Sequence, residues 1–341
     1  MSDTLKIVIP MAGYGTRLRP HTWSRPKQLM SLAGKTVLEH VLDQFKSLPD
    51  DLDVEFIFIV GYLGDKVEAF MKKNYPNLKV RYIVQSEMRG QSHAIYLAKD
   101  YLKGPMLMVF ADTLIETNLS ILGTDQTEAI AWVKPVPDPR RFGVTEIGAD
   151  GLVKRLIEKP KEMHNNLAVV GFYYFKRSED LIAAIETQME QDVHLKGEFF
   201  LADAVNIMLQ RGTQMRTQRV DIWLDAGTPE AVLETNHYLL ENGRGNTAEA
   251  SQHPGVTLVR PSFIHPEADV QNSVIGPYTS IGAGCVVKDT IIVESILEDG
   301  AQVSNVILEN SLIGQNAAVN GCPNSLNVGD NSTVNFDGRC R

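Results

Sequence analysis

The feature that most constrains this sequence is a glycine-rich, basic loop that directly follows the first hydrophobic segment. The segment, residues 5–9, is short and rich in β-branched side chains, which predicts a buried strand. The loop contains Gly13 and Gly15 and is followed by the cations Arg17 and Lys27. Glycines let a backbone approach a ligand and point successive N–H groups at phosphate oxygens, and Arg and Lys add full positive charge. The pattern therefore predicts a polyphosphate site at the end of the first strand.

Two familiar phosphate-binding loops do not account for this pattern. A dinucleotide-binding loop has a third glycine where this chain has Leu18. A P-loop ending at Gly34-Lys35-Thr36 would need its first glycine where Leu29 stands, so these three residues are interpreted as a turn before a helix. The remaining alternative is an ordinary glycine turn with basic neighbours, which the long joint pattern G-x-G-T-R-L-x-P followed by R-P-K-Q-L disfavours.

Strand and helix patterns alternate after the loop. The predicted strands are residues 5–9, 55–60, 79–84 and 105–110, and the predicted helices are residues 36–45, 64–73 and 91–102. This alternation predicts an α/β fold, a Rossmann-like, mostly parallel sheet with helices on both faces. Ligands of such sheets bind beyond the carboxyl ends of the strands. The loop, Gln85 and Asp112 all follow predicted strands, so we expect them to converge.

The remainder of this domain, which we predict to span residues 1–244, has a mixed pattern. Asp150-Gly151 between two alternating segments predicts a hairpin. Ser178 is expected to cap a helix that reaches about residue 191, and residues 198–210 are expected to form another helix. Thr228 as cap and Pro229 as first helical residue predict a last helix.

The segment 242–255 loses all periodicity and is interpreted as a linker, and the pattern changes beyond it. An aliphatic residue recurs about every six positions from Ile275 through Ile281 and Val287 to Val293, and again from Ile313 to Val319. This hexapeptide repeat predicts a small left-handed parallel β-helix domain over residues 245–341. A small antiparallel sheet with glycine turns is the alternative.

Charge and cysteine usage exclude several classes of protein. The net charge of −9 argues against a general nucleic-acid or membrane-surface binder, so neither partner is expected. No leader-like or long apolar segment is apparent, and we expect a soluble, cytoplasmic protein. The three cysteines, Cys285, Cys322 and Cys340, suit neither a disulfide framework nor a zinc site.

The loop pattern resembles the signature of the sugar-1-phosphate nucleotidylyltransferases. Together with the later segments, it is most similar to the long form of glucose-1-phosphate thymidylyltransferase, which carries a C-terminal left-handed β-helix. The resemblance extends over nearly the whole chain. It implies transfer of a nucleotidyl group from a nucleoside triphosphate, here expected to be dTTP, to a sugar 1-phosphate, here expected to be glucose 1-phosphate, with release of pyrophosphate.

The resemblance also assigns the expected catalytic residues. Asp112 and Asp225 each end a hydrophobic stretch; taken alone, each is more often a cap or turn residue, but both local motifs match family positions that hold Mg²⁺. Arg17 is expected to neutralise the phosphates that leave as pyrophosphate, and Lys27 to lie near the α-phosphate. The other expected nucleotide contacts in the loop are Ala12, Gly13, Gly15 and Thr16.

Two later segments resemble the base and sugar sites. Gln85 and Gly90 are expected to contact the base, because an amide suits the edge of thymine or uracil, whereas His93 is interpreted as a helix-face residue. Ser86 and Gln91 depart from the residues that the family often has there. The residues expected to bind the sugar phosphate are Gly143, Glu158, Lys159 and Val170.

Three other functions are compatible with the sequence besides that of a thymidylyltransferase. The Pro10-Met11-Ala12 start of the loop is closer to bacterial UTP–glucose-1-phosphate uridylyltransferases, which makes UTP the nearest alternative substrate. A silent nucleotide-sugar scaffold would keep the fold without turnover. A bifunctional acetyltransferase would use a β-helix histidine, but His253 and His265 both precede the regular repeats. The β-helix also leads us to expect a homo-oligomer.

Overall fold

The computed structural model describes residues 4–123, 127–247, 255–322, 327–329 and 332. His253 and Cys340 lie outside these ranges. The chain divides into two compact units, Met1–Asn242 and Gly243–Arg341. Within the described ranges, no helix is both long enough and apolar enough to cross a bilayer.

The first unit alternates strands and helices as the sequence predicts. Its strands are β1 (Leu5–Pro10), β2 (Ser31–Leu32), β3 (Lys35–Thr36), β4 (Val54–Val60), β5 (Val80–Val84), β6 (Met106–Val109), β7 (Thr113–Ile115), β8 (Ala129–Pro135), β9 (Gly143–Ile147), β10 (Val153–Glu158), β11 (Leu167–Phe175), β12 (Met215–Arg219) and β13 (Trp223–Asp225). Its helices are α1 (Val37–Asp43), α2 (Gly64–Asn74), α3 (Gln91–Leu97), α4 (Ser178–Glu190), α5 (Leu201–Gln210) and α6 (Pro229–Leu239).

The main sheet of this unit holds β1 in its interior, between β6 and β4. The strand order is β10-β9-β11-β6-β1-β4-β5, and β8 branches from β11 and pairs in turn with β12. β1 is parallel to both β4 and β6, and β4 is parallel to β5. Because the chain runs outward from β1 to β4 and β5 and then returns to β6 on the other side, the strand order reverses between β1 and β6. Ligands of open α/β sheets bind outside the strand ends at such a reversal.

Two helices of this unit begin at a side-chain cap. Thr36 caps α1, and the Glu39 carboxylate accepts a hydrogen bond from the Thr36 N–H, which completes a capping box. Of the predicted turn Gly34-Lys35-Thr36, only Gly34 lies in the turn, because Lys35 and Thr36 form β3 directly before the helix. Thr228 likewise caps α6 by accepting a hydrogen bond from the Ala231 N–H.

Three predicted helix boundaries were wrong. Arg177, not Ser178, is the N-cap of α4, and the buried Ser178 hydroxyl has no hydrogen-bond partner. α5 begins only at Leu201, because Glu198 pairs with Leu195 in a short bridge before it. The helix predicted over residues 91–102 ends at Leu97, and a 3-10 turn follows it.

The outer edge of β10 is covered by a side chain. Leu156 donates its backbone N–H to Asn206 Oδ1 at 2.8 Å, and its carbonyl accepts a hydrogen bond from Asn206 Nδ2 at 2.9 Å. Asn206 lies on α5, which packs along β10. One amide side chain therefore satisfies both backbone groups of Leu156 at the open end of the sheet.

The second unit is a three-sided parallel β-helix. Its strands are β14 (Thr257–Leu258), β15 (Ser262–Ile264), β16 (Asp269–Gln271), β17 (Val274–Ile275), β18 (Thr279–Ile281), β19 (Val286–Lys288), β20 (Ile291–Val293), β21 (Ile296–Leu297), β22 (Gln302–Ser304), β23 (Ile307–Glu309), β24 (Leu312–Ile313) and β25 (Ala318–Asn320). They form three parallel four-stranded sheets, so the β-helix prediction is confirmed and the antiparallel alternative is wrong.

The repeat is not strictly hexameric. Val274, Ile291 and Ile307 pair in register on one side, and the second of these steps is one residue shorter than the first. The sequence pattern loses its phase between Val287 and Ile292, because Ile275 pairs with Ile292, one residue short of three full hexapeptides. Ile292, and not the predicted Val293, therefore lies in the core. Inside the coils, the fully buried Ile275, Ile281 and Val287 lie in one apolar core.

Candidate active site

The glycine-rich loop lies beside the end of β4. The Met11 N–H donates to the Ile59 carbonyl at 2.8 Å, which continues the parallel ladder one residue beyond β1. Ala12 is buried against Gly61, where an added Cβ atom would lie 2.8 Å from the Ala12 carbonyl oxygen. Gly61 was not singled out from the sequence, yet only a residue without a side chain lets the two loops approach this closely.

Beyond Ala12 the loop opens to solvent. An added Cβ atom on Gly13 would meet no atom within 4 Å, so the backbone here is open to a ligand. Gly15 has a φ of +61° and precedes the 3-10 turn Thr16–Leu18, and its carbonyl accepts a hydrogen bond from Thr22 Oγ1 at 2.8 Å. Leu18 is buried and anchors the turn, whereas Thr16 and Arg17 are exposed at its surface.

Lys27 is aimed at the carboxylate that follows β6. It begins the 3-10 turn Lys27–Leu29, and Gln28 secures this turn to the loop by donating from Nε2 to the Met11 carbonyl at 3.2 Å. Lys27 Nζ forms an ion pair with Asp112 Oδ2. Burial raises the pKa of Asp112, but the charge and hydrogen bond of Lys27 outweigh it and hold the pKa below its ordinary value.

The second aspartate stands beside the first through a short antiparallel ladder. β13 pairs with β7 so that Asp225 lies opposite Thr113, and the Ala226 N–H donates to the Asp112 carbonyl at 3.1 Å. Burial, together with the negative charge of Asp112, raises the pKa of Asp225. The structure thus brings together two carboxylates that are 113 positions apart in the sequence.

Arg17 completes this charged cluster. A Cβ atom on Gly227 would lie 2.8 Å from Arg17 Nη2 and 3.1 Å from Asp225 Oδ2, so the guanidinium and the carboxylate border the same glycine. The Gly227 N–H also donates to Asp225 Oδ2 at 3.2 Å. All four residues predicted to be catalytic, Arg17, Lys27, Asp112 and Asp225, therefore meet at the carboxyl edge of the sheet.

The donor set of this cluster fits a magnesium ion. Across the described ranges, no group of three or more His, Cys, Asp and Glu side chains is arranged to hold a metal. Asp112 and Asp225 instead supply two carboxylates, and Mg²⁺ is usually bound by one or two carboxylates together with substrate phosphates and water. Burial and the negative charge of Asp112 both disfavour the ionised form of Asp225, and a bound divalent cation would offset this effect.

The predicted base site lies at the ends of β5 and β4. Gln85 is buried beside Gly90, and its Nε2 donates to the Gly90 carbonyl at 3.2 Å. The same Nε2 lies 3.1 Å from His93 Nδ1. Gly90 precedes α3 with φ 96° and ψ −179°, a conformation that side chains disfavour. Gln85 and Gly90, which are both predicted to contact the base, are thus neighbours, and His93 lies beside them.

We expect Gly90→Ala to destabilise the fold more than Gly212→Ala, a replacement at a glycine with nearly the same φ. An added Cβ atom at Gly90 would lie 2.6 Å from both the N and O atoms of Phe199, which are backbone atoms. Gly212 has φ +95° with nothing within 4 Å of its added Cβ atom, so Gly212→Ala isolates the backbone strain.

The expected loss of unfolding free energy in denaturant is about 1–2 kcal/mol for Gly212→Ala. Gly90→Ala should lose roughly a further 1–3 kcal/mol because of the contact with Phe199. Equal losses in the two variants would contradict a steric role for the Phe199 backbone.

The predicted sugar-phosphate residues cluster where β9 and β10 pair. Gly143 lies opposite Glu158 in this ladder, and a Cβ atom on Gly143 would lie 3.1 Å from Glu158 Oε2. Lys159 Nζ is 3.8 Å from Glu158 Oε1 and 4.7 Å from the centre of the Phe200 ring. Val170 lies in β11 and is only 1% exposed, so its side chain contributes packing more than accessible surface.

Asp203 was missed by the sequence analysis. Burial raises the pKa of Glu158, Lys159 opposes the shift, and the negative charge of Asp203 adds to it. Burial also raises the pKa of Asp203. Its carboxylate forms no hydrogen bond or ion pair with any residue in the described part of the chain. The sequence signal for Asp203 is its place in the first turn of α5, which begins at Leu201. The predicted helix began at residue 198, so Asp203 lay beyond the first turn of that helix and was not singled out.

Two aromatic residues join the sugar-phosphate cluster to the aspartates. The rings of Phe142 and Trp223 are 4.9 Å apart in an edge-to-face contact. Phe142 precedes Gly143 and accepts a hydrogen bond at its carbonyl from the Lys159 N–H at 3.0 Å. Trp223 lies two residues before Asp225 and has a buried Nε1 without a hydrogen-bond partner. The two groups of predicted residues are therefore parts of one site.

Comparison with known proteins identifies the class to which this site belongs. The nucleotidyl transferase family model matches residues 6–242, and the chain belongs to that family. The match confirms the family that the loop and the later motifs resemble. The chain is therefore an enzyme of nucleotidyl transfer, and its closely placed cations and carboxylates lie within the matched region.

Two of the relatives match nearly the whole chain, and a third matches about two thirds of it. It is 31% identical to a glucose-1-phosphate thymidylyltransferase of Streptomyces griseus, over 96% of this chain and 98% of the relative. It is 30% identical to the low-salt glycan biosynthesis nucleotidyltransferase Agl11 of Haloferax volcanii, over 97% of this chain and 99% of the relative. The bifunctional protein GlmU of Methanococcus maripaludis is 33% identical, but the match includes 68% of this chain and only 54% of GlmU.

A solved structure supports the fold alone. The structure is that of a Bacillus anthracis protein assigned as a glucose-1-phosphate thymidylyltransferase, in complex with a sucrose. It superposes with a TM-score of 0.58 at 24% identity, over 69% of this chain and 95% of the other.

Proposed function

We propose that this enzyme catalyses the reaction of dTTP with glucose 1-phosphate to give dTDP-glucose and pyrophosphate. The observation that carries the proposal is the meeting of Arg17, Lys27, Asp112 and Asp225 at the carboxyl edge of the sheet. Similarity to a glucose-1-phosphate thymidylyltransferase over almost the full chain supports the choice of substrates.

The residues of the cluster have complementary roles in this proposal. The oxygen of the sugar phosphate attacks the α-phosphorus in line, and the bond to the departing pyrophosphate breaks. Arg17 binds the β- and γ-phosphates as charge develops on them, and Lys27 stabilises the charge around the α-phosphate. Asp112 and Asp225 would hold Mg²⁺, which neutralises phosphate charge when bound.

No general base is needed for this attack. A phosphate monoester has a second pKa of about 6, so its oxygen is already mostly ionised at pH 7. Glu158 and Asp203 would instead accept hydrogen bonds from hexose hydroxyls, and Lys159 would pair with the phosphate of the sugar. Burial removes water from both carboxyls and thereby raises the pKa of each. Hydroxyl groups of a bound sugar would donate the hydrogen bonds that this water no longer supplies.

UTP is the second candidate nucleotide. The edge of thymine that Gln85 would read is shared by uracil, because the two bases differ only in the 5-methyl group. The Pro10-Met11-Ala12 start of the loop, which resembles that of bacterial UTP–glucose-1-phosphate uridylyltransferases, favours the same alternative.

Pyrophosphate release tests the proposal. We expect release with Mg²⁺, dTTP and glucose 1-phosphate to exceed release with CTP, ATP or GTP, and to stop when EDTA removes the metal. A preference for UTP would retain the mechanism and change the nucleotide. A folded protein that releases no pyrophosphate with any triphosphate and hexose 1-phosphate would contradict the proposal and favour a silent nucleotide-sugar scaffold.

A further inference from the structure

The orientation of the Gln85 side-chain amide is fixed by its surroundings. The Gly90 carbonyl can only accept a hydrogen bond, so the group 3.2 Å from it must be the Gln85 amide nitrogen, not the oxygen. The same nitrogen has a second proton, which points at His93 Nδ1 at 3.1 Å. Both protons of the amide nitrogen are therefore used within the protein.

His93 accepts this second hydrogen bond only as a neutral ring whose proton is on Nε2. Burial lowers the pKa of His93, and the positive charge of Arg89 acts in the same direction, while Glu87 opposes them. The neutral form is therefore favoured at neutral pH, and Nδ1 remains an acceptor. If Nδ1 were absent, rotation of the amide would be restrained only by the single contact with Gly90.

The oxygen of Gln85 remains available. In the described part of the chain, no hydrogen bond involves Gln85 Oε1, and this oxygen is not among the buried polar atoms that lack a partner. Gln85 follows Val84, which is 67% exposed at the end of β5. The amide therefore presents a hydrogen-bond acceptor, and no donor, to a molecule bound at this edge.

We propose that His93 is a positioning residue that fixes Gln85 as a hydrogen-bond acceptor and so makes the site select thymine or uracil over cytosine. Thymine and uracil carry a proton on N3, which Oε1 can accept. Cytosine has an unprotonated N3, which would face the oxygen without a hydrogen between them. A buried acceptor that is left unpaired discriminates strongly between such ligands. This inference rests on the proposed function, because it requires a pyrimidine nucleotide at Gln85.

The test compares kcat/KM for dTTP, UTP and CTP in the full-length enzyme and in His93 variants. His93→Phe keeps a ring but removes the acceptor, and we expect its preference for dTTP and UTP over CTP to fall roughly tenfold. His93→Asn can place an acceptor oxygen near the position of Nδ1, so it should retain most of the preference. His93→Leu, measured in parallel, gives a second variant without an acceptor.

The outcomes separate this inference from the proposed function. Loss of base preference in His93→Phe and His93→Leu, with retention in His93→Asn, would support it. An equal decrease of kcat/KM for all three nucleotides, or no change, would overturn it and leave His93 as a residue that only packs on its helix. Wild-type enzyme that uses none of the three pyrimidine triphosphates would overturn the proposed function itself, and this inference with it.

Discussion

Asp225→Asn is expected to decrease turnover with dTTP and glucose 1-phosphate by about a thousandfold. The substitution preserves the shape of the side chain but removes one of the two carboxylates proposed to hold Mg²⁺, and a bound cation contributes several kcal/mol of transition-state stabilisation. The measurement is the initial rate of pyrophosphate release at saturating Mg²⁺ and substrates.

The same substitution should leave the fold intact or make it more stable. Burial and the repulsion of Asp112 raise the pKa of Asp225, which means that the ionised form is disfavoured in the folded protein without metal. A neutral amide removes that cost. We therefore expect a thermal midpoint, measured without Mg²⁺, that equals or exceeds that of the wild type.

Asp221→Asn is the matched control for this variant. Asp221 is an exposed residue just before β13, so the same chemical change is made four positions away from Asp225 but outside the cluster. Its turnover should equal that of the wild type. Near-normal turnover of Asp225→Asn would contradict the metal-binding role, and unfolding of the variant would contradict the expected stability.

Lys27→Met is expected to decrease kcat by about 10²–10³-fold. Lys27 is the cation proposed to stabilise charge at the α-phosphate, and removal of one well-placed charged donor from a transition state has effects of this size. Asp112 also loses its ion-pair partner, so we expect a decrease of about 1–3 kcal/mol in the free energy of unfolding. Rates must therefore be normalised to the folded fraction, measured by circular dichroism.

Lys6→Met separates the kinetic effect from the structural one. The side chains of Lys6 and Glu55 are 14% and 19% exposed, close to the 18% and 15% of Lys27 and Asp112. Lys6 lies in β1, but its pair with Glu55 is outside the charged cluster. We expect Lys6→Met to change stability while kcat remains near the wild-type value. A similar loss of kcat in both variants would show that Lys27 acts through the fold and not on the substrate.

Local chemistry explains why much of the fold was predictable. β1 and β4 could be predicted because each contains a run of consecutive buried apolar residues, 7–9 in β1 and 56–60 in β4, and such runs can be recognised without knowledge of distant residues. The start of α1 at Thr36 could be predicted because the capping box lies within four residues. The start of α5 could not be predicted in this way. The sequence pattern is compatible with a helix from residue 198, but the bridge between Leu195 and Glu198 keeps this segment out of the helix, which begins at Leu201.

The arrangement of the candidate active site was harder to predict from the sequence than the fold. The pairing of Asp112 with Asp225 depends on β7 and β13, strands of three residues each, which leave almost no periodicity in the sequence. Resemblance to a family placed both aspartates in one site, whereas spacing could not. The roles of Gly61 and Gly227 depend on atoms that approach from distant parts of the chain, and Asp203 became visible only once Glu158 was found near it.

The contact of Asn206 with Leu156 has a consequence for the behaviour of the protein at high concentration. A free strand edge is a template on which another chain can add a strand and begin to aggregate. The amide of Asn206 acts as a one-residue substitute for that missing strand, because it pairs with both the donor and the acceptor of Leu156. At Leu156, the middle of the outermost strand β10, an incoming strand would therefore have to displace a polar side chain of a neighbouring helix before it could pair.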